Sequence, residues 1–84
     1  MPGRILVIDP VSTNRTVLKT RLMSEYYEVD LCADAGAGWA SILRDPPDEV
    51  LVNCKLPDAN GYGFSAKVNS DLENGHIPPG LLAA

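Results

Sequence analysis

Three short runs of apolar residues punctuate the chain, and they leave little choice of fold. "RILVI" (Arg4–Ile8) is apolar almost without a break, as expected of a strand covered on both faces. "YEVDLC" (Tyr27–Cys32) alternates and reads as a second strand, at a sheet edge. "EVLVN" (Glu49–Asn53) reads as a third, buried strand. Helical spacing fills the intervals. In "STNRTVLKTRLM", Val17, Leu18 and Leu22 share a face, and Ser12 or Thr13 is the expected N-cap. "AGAGWASIL" sets Trp39, Ile42 and Leu43 at helical spacing, although Gly36 and Gly38 weaken its start, and "DPP" (Asp45–Pro47) ends it. "GYGFSAKV" predicts a short third helix anchored by Tyr62, Phe64 and Val68, with "ANG" (Ala59–Gly61) as its entry signal. "NSDLENGHIPP" (Asn69–Pro79) reads as polar loop.

Strands that alternate with helices in this way form βαβ units with right-handed crossovers, and hence an α/β domain on a parallel sheet. The functional site of an open parallel sheet lies beyond the carboxyl ends of its strands, where the strand order reverses. For an order 2-1-3, the crevice between the first and third strands is lined by Asp9, Pro10, Asn53 and Cys54.

Composition narrows the function. The 84 residues allow one small domain, with enough apolar content (45%) for a core. A net charge of -4 disfavours nucleic acid and anionic membrane as partners. No apolar run approaches the ~20 residues of a membrane span, and the N-terminus lacks the features of a secretory leader, so a cytoplasmic location is expected. Two widely spaced cysteines, Cys32 and Cys54, are too few for a zinc site or a disulfide framework and are expected as packed thiols. Trp39, Tyr62 and Phe64 read as packing residues, Lys19 and Lys67 as solvated helix faces, and His76 as an isolated loop residue. Nothing pairs a nucleophile with a base, so the chain is not expected to be an enzyme.

The segments "ILVIDP", "NRTVLKTRL", "YYEV", "PPDEVLVNCKLPDANGYGF" and "HIPPGLLAA", in this order and spacing, resemble the receiver domain of bacterial two-component response regulators. The nearest flavour is that of receivers preceding diguanylate cyclase modules. The resemblance runs from Arg4 to Ala84. It implies a flavodoxin-like (βα)n three-layer sandwich with parallel sheet order 2-1-3-4. Residues 1–84 would be a single, partial receiver domain that stops after the start of its fourth strand. It also implies a histidine kinase or an output module as partner.

In the family, an aspartate at the end of the third strand accepts a phosphoryl group. Mg²⁺, held by two acidic residues after the first strand and a backbone carbonyl, neutralises the charge, and a hydroxyl at the end of the fourth strand senses the phosphoryl oxygen. Here Asp9 matches the first acidic position, but Pro10 takes the second. Asn53 takes the acceptor position and Ala83 the hydroxyl position, while Lys55 would still offer its backbone carbonyl. A neutral amide is a poor nucleophile, and Mg²⁺ relies on carboxylates. The expectation is a module with no catalytic residue and no cofactor, with Asp9 and the Lys55 carbonyl as weak metal-site remnants, acting through protein contacts. Two alternatives stand beside it: a conventional receiver, Asp-phosphorylated in its native form and here altered or shortened, and a small oligomeric scaffold. A homodimer is expected because the fourth strand leaves Leu81 and Leu82 uncovered, while the "PPG" of Pro78–Gly80 blunts strand pairing.

Overall fold

The computed structural model describes residues 3–73, 82 and 83. Along the chain the elements are β1 (Arg4–Ile8), α1 (Ser12–Met23), β2 (Glu28–Cys32), α2 (Ala35–Arg44), β3 (Glu49–Val52), α3 (Gly61–Glu73) and β4 (Leu82–Ala83). They build one parallel sheet in the order β2-β1-β3-β4. This is the flavodoxin-like arrangement the sequence predicts, with β2 at an edge. Ile8 pairs with Cys32 on one side and with Val52 on the other, so the segments leaving β1 and β3 emerge side by side. β4 joins through Glu49↔Leu82 and Val50↔Ala83, which puts the backbone of Ala83 at the end of the fourth strand.

Ile5, Leu6, Val7 and Ile8 of the central β1 are all buried, which explains their unbroken apolar run. Strand alternation sends Leu6 and Ile8 into the main core with Ala35, Ile42, Val50, Phe64 and Val68, and Trp39 packs against its edge. Right-handed crossovers place α2 and α3 over that face and, among the described residues, α1 alone over the other. A cavity of about 270 Å³ beside α1, lined by Val7, Leu18, Leu51 and Asn53 among others, marks the less covered face.

Several expectations need correction. Val17 is 58% exposed, and α1 buries no residue completely; Arg15, Leu18 and Leu22 form its half-buried face. The N-cap of α1 is Val11, with no side-chain cap, rather than Ser12 or Thr13. Asp9 already shapes this entry by accepting the N–H of Val11, so the helix starts without a hydroxyl. Tyr62 is 76% exposed, because it lies on the solvent side of α3 away from Phe64 and Val68. Leu43 is likewise exposed, on α2. Asn69–Glu73 belongs to α3 and not to a loop, and an Lys67–Asp71 ion pair of 3.7 Å supports that polar extension. The expectations for His76, for Pro78–Gly80 and for the side chains of Leu81 and Leu82 lie outside the described residues.

At the end of the sheet opposite the crevice, Arg4 makes a clamp that periodicity does not reveal. Its guanidinium bonds the carboxylate and the carbonyl of Asp45 and lies 3.4 Å from Asp30. Its backbone N–H donates to Asp48 at 2.8 Å. One cation thereby ties β1 to β2 and to the turn before β3.

Candidate functional site

The crevice predicted from strand order exists, and β1–β3 pairing brings Asp9 and Asn53 together across it. Asp9 is buried (7% exposed), and its backbone N–H donates to Cys32. Its Oδ1 accepts from Val11 N–H at 2.9 Å, closing a turn around Pro10. Its Oδ2 accepts from Asn53 Nδ2 at 3.2 Å and from Asn14 Nδ2 at 3.4 Å. Arg15 donates to the Asp9 carbonyl at 2.7 Å. The Asn53 side chain is oriented from its other end. Its Oδ1 accepts from Lys55 N–H at 2.9 Å, an acceptor role that turns Nδ2 toward Asp9. Both carboxylate oxygens of Asp9 are therefore supplied with neutral donors.

Pro10 is exposed at the rim and contributes no ligand. Lys55 is held by an antiparallel bridge to Asn60. Among the described residues no group of three or more His, Cys, Asp or Glu is placed to hold a metal. Mg²⁺ demands near-octahedral oxygen ligands and favours carboxylates. The crevice offers one carboxylate with an amide N–H directed at it, which does not fit the ion.

The segment after β3 is anchored by contacts that sequence reading missed. Asn60 caps α3, its Oδ1 accepting from Tyr62 N–H at 2.8 Å and Gly63 N–H at 3.3 Å. Asp34 caps α2 by accepting from Ala37 N–H. Asp58 reaches back to the same helix, with Oδ1 accepting from Ala35 N–H and Oδ2 from Gly36 N–H, each at 2.9 Å. Two aspartates thus satisfy the first amides of α2, and the second of them fixes the β3–α3 loop. An acidic residue before each helix was the available signal; which helix Asp58 serves was not readable.

The bonds from Ala35 and Gly36 hold the Asp58 carboxyl below its ordinary 3.8. A folded value lower than the unfolded one means that this contribution to stability is complete above the unfolded value. It is lost as pH falls through the folded one. We expect an Asp58→Asn variant to melt below the parent at pH 7, and the gap to narrow as pH drops below about 4. Thermal melts across pH 2–7 check this, and a pH-independent gap would refute the assignment.

The cysteines divide. Cys32 is half-buried, and burial, with Asp30 and Asp34 nearby, pushes its thiol up despite Arg44. Cys54 follows β3 and is exposed, contrary to the expectation that both are packed thiols.

An open parallel sheet in this order, with its crevice beyond β1 and β3, is the flavodoxin-like class of α/β domain. No family model matches the chain. The chain is 36% identical over all of its 84 residues to the response regulator PleD of Caulobacter vibrioides, and spans 18% of that protein. It is 29% identical over 76 residues to the protein PilH of Pseudomonas aeruginosa, covering 90% of this chain and 63% of that one. A solved receiver domain of a sensor histidine kinase from Pseudomonas aeruginosa, with magnesium coordinated in its active-site cleft, matches with a TM-score of 0.78 at 28% identity. That match covers 99% of this chain and 66% of the other. The chain thus spans less than two thirds of the curated relatives it resembles. Its likeness to response-regulator receiver domains extends over the whole chain. Among the described residues no helix is long and apolar enough to cross a membrane.

Proposed function

We propose that residues 1–84 form a single receiver-like module of two-component phosphorelay signalling that does not accept a phosphoryl group and works through protein contacts in the cytoplasm. The observation that carries this reading is the Asn53 Nδ2 to Asp9 Oδ2 hydrogen bond. A working acceptor would present a carboxylate nucleophile beside a metal. Here an amide occupies that position and neutral donors solvate the remaining acid. Ala83 supplies no hydroxyl, and Pro10 supplies no second acid. Neither Mg²⁺ nor another cofactor is part of the proposal. Asp9 and the Lys55 carbonyl are what remain of the family's metal site. Incubation with acetyl phosphate and Mg²⁺ is expected to leave the intact mass unchanged. A phosphoryl adduct mapping to residues 48–58 would overturn the reading.

Protein contact is the mode left once chemistry is removed, with a histidine kinase or an output module as the partner that the family supplies. The exposed apolar residues Val11, Val17 and Met23 along α1 and its cap support this, as does the incompletely covered sheet face beside them. A homodimer is part of the same proposal, nucleic acid is not. Light scattering at high micromolar concentration is expected to give twice the 9.0 kDa chain mass. A well-folded monomer at that concentration would remove the dimer and leave the chemistry of Asn53 untouched.

A further inference from the structure

A groove of about 420 Å³, larger than the cavity at the Asp9–Asn53 crevice, lies between the N-terminal turns of α2 and α3 and is closed at one end by the loop that carries Asp58. A volume of this size falls in the range of small-molecule sites, about 300–1,000 Å³. Its floor is aromatic. Phe64 meets Trp39 edge-on, with centroids 6.1 Å apart and planes at 87°, which holds the indole in place. Its walls carry glycines. A Cβ built on Gly63 meets nothing within 4 Å, so the space there is real and a side chain would project into it.

The backbone amides at the rim are already partnered. The amides of Ala35 and Gly36 are consumed by Asp58, that of Ala37 by Asp34, and those of Tyr62 and Gly63 by Asn60. Asp58 brings a negative charge, but its two oxygens point at helix amides. Lys67 is different. Its ammonium lies 4.8 Å from the Trp39 ring centroid, and its partner Asp71, at 3.7 Å, leaves ammonium protons over for another acceptor. An occupant therefore meets an apolar, aromatic floor and one cation fixed over the ring.

We propose that this groove binds a small aromatic anion: a flat one- or two-ring molecule laid along Trp39 and the glycine walls, with a carboxylate or sulfonate reaching Lys67. None of these residues hydrogen-bonds to Asp9 or Asn53, so the site is separate from the phosphoacceptor position. It supplies a receiver of this kind with an input that needs no phosphorylation.

The test uses the full chain, ¹⁵N-labelled, with 2-naphthoate and its neutral amide, 2-naphthamide, as paired probes. Saturable shifts are expected at the Trp39 indole N–H and at the amides of Gly36 and Gly63, with naphthoate binding about tenfold tighter than naphthamide. Lys67→Met should bring the two probes to within about threefold of each other while leaving naphthamide unchanged. Gly63→Val should weaken both about tenfold, and since its side chain enters open space on an exposed helix face, the fold is expected to persist. Absence of saturable shifts at these three sites up to about 10 mM probe would overturn the proposal. So would a Lys67→Met variant that keeps the preference for the anion. If Gly63→Val alters the far-ultraviolet circular dichroism, the Lys67→Met comparison decides.

Discussion

An Asn53→Asp variant will be less stable than the parent by about 1.5–4 kcal/mol at pH 7, and will regain stability as the pH is lowered. Asn53 Nδ2 now sits 3.2 Å from Asp9 Oδ2. The substitution removes that donor and places a second carboxylate against the first. Two carboxylates at such a distance share a proton, and one of the pair holds it above the ordinary carboxylate range. The sign follows from linkage. The raised group binds its proton more tightly folded than unfolded, so the variant is favoured at low pH and penalised above the ordinary carboxylate range. The parent has an amide here and lacks that penalty. Denaturant midpoints at pH 4 and pH 7 measure the difference between the two proteins, and a pH-independent difference would show that Asp9 and Asn53 do not face each other.

The same variant tests the metal question. With Asn53→Asp alone, Pro10 still denies the ion an acidic ligand. With Pro10→Asp added, three acids converge, and millimolar Mg²⁺ is expected to raise stability by about 1.4 kcal/mol at ten times its dissociation constant. A single variant that binds Mg²⁺ as well as the double one would show that Pro10 is not the missing ligand.

The crevice was legible because it depends on few things. Apolar runs give the strands, the resemblance to receiver domains gives their order, and parallel register puts the residues after Ile8 and Val52 next to each other. Side-chain placement around the helices was less legible. Helical period identifies a stripe but not which neighbour covers it. α1 packs against one sheet face with no helix beside it among the described residues, so Val17 projects to solvent although it is apolar. Tyr62 and Leu43 fail for the same reason. The Asp58–α2 and Arg4–Asp45 contacts join residues 22 to 41 positions apart by single polar groups. Such contacts leave no periodic trace. α3 runs past the apolar residues that announced it because the Lys67–Asp71 ion pair and the half-buried Asp71 and Leu72 extend it.

Gly61→Ala will be the most damaging glycine-to-alanine change among the described residues, costing about 3 kcal/mol or more and displacing Asn53. Gly61 opens α3 and donates its N–H to the Cys54 carbonyl at 3.0 Å. A Cβ there would lie 2.0 Å from the carbonyl oxygen of Asn53, 2.7 Å from Cys54 Cα and 2.8 Å from the Asn53 carbonyl carbon. All three are backbone atoms at the end of β3, so no rotamer change relieves the clash. Either α3 withdraws and loosens Phe64 and Val68 in the core, or the Asn53–Cys54 segment shifts and its bond to Asp9 opens. The other glycines supply the controls. At Gly38 a Cβ meets Ile8 Cδ1 at 2.4 Å, the free end of a side chain that can turn, so an alanine there should cost about 1–2 kcal/mol. At Gly63 it meets nothing, and alanine should stabilise the exposed helix by about 0.5–1 kcal/mol. For a domain whose whole stability is about 5–10 kcal/mol, the first change removes a large share and the last adds to it. Urea denaturation of the three alanine variants gives the order directly. If Gly61→Ala ranks with Gly63→Ala, α3 does not rest on the backbone of β3, and the orientation of Asn53 toward Asp9 loses its structural cause.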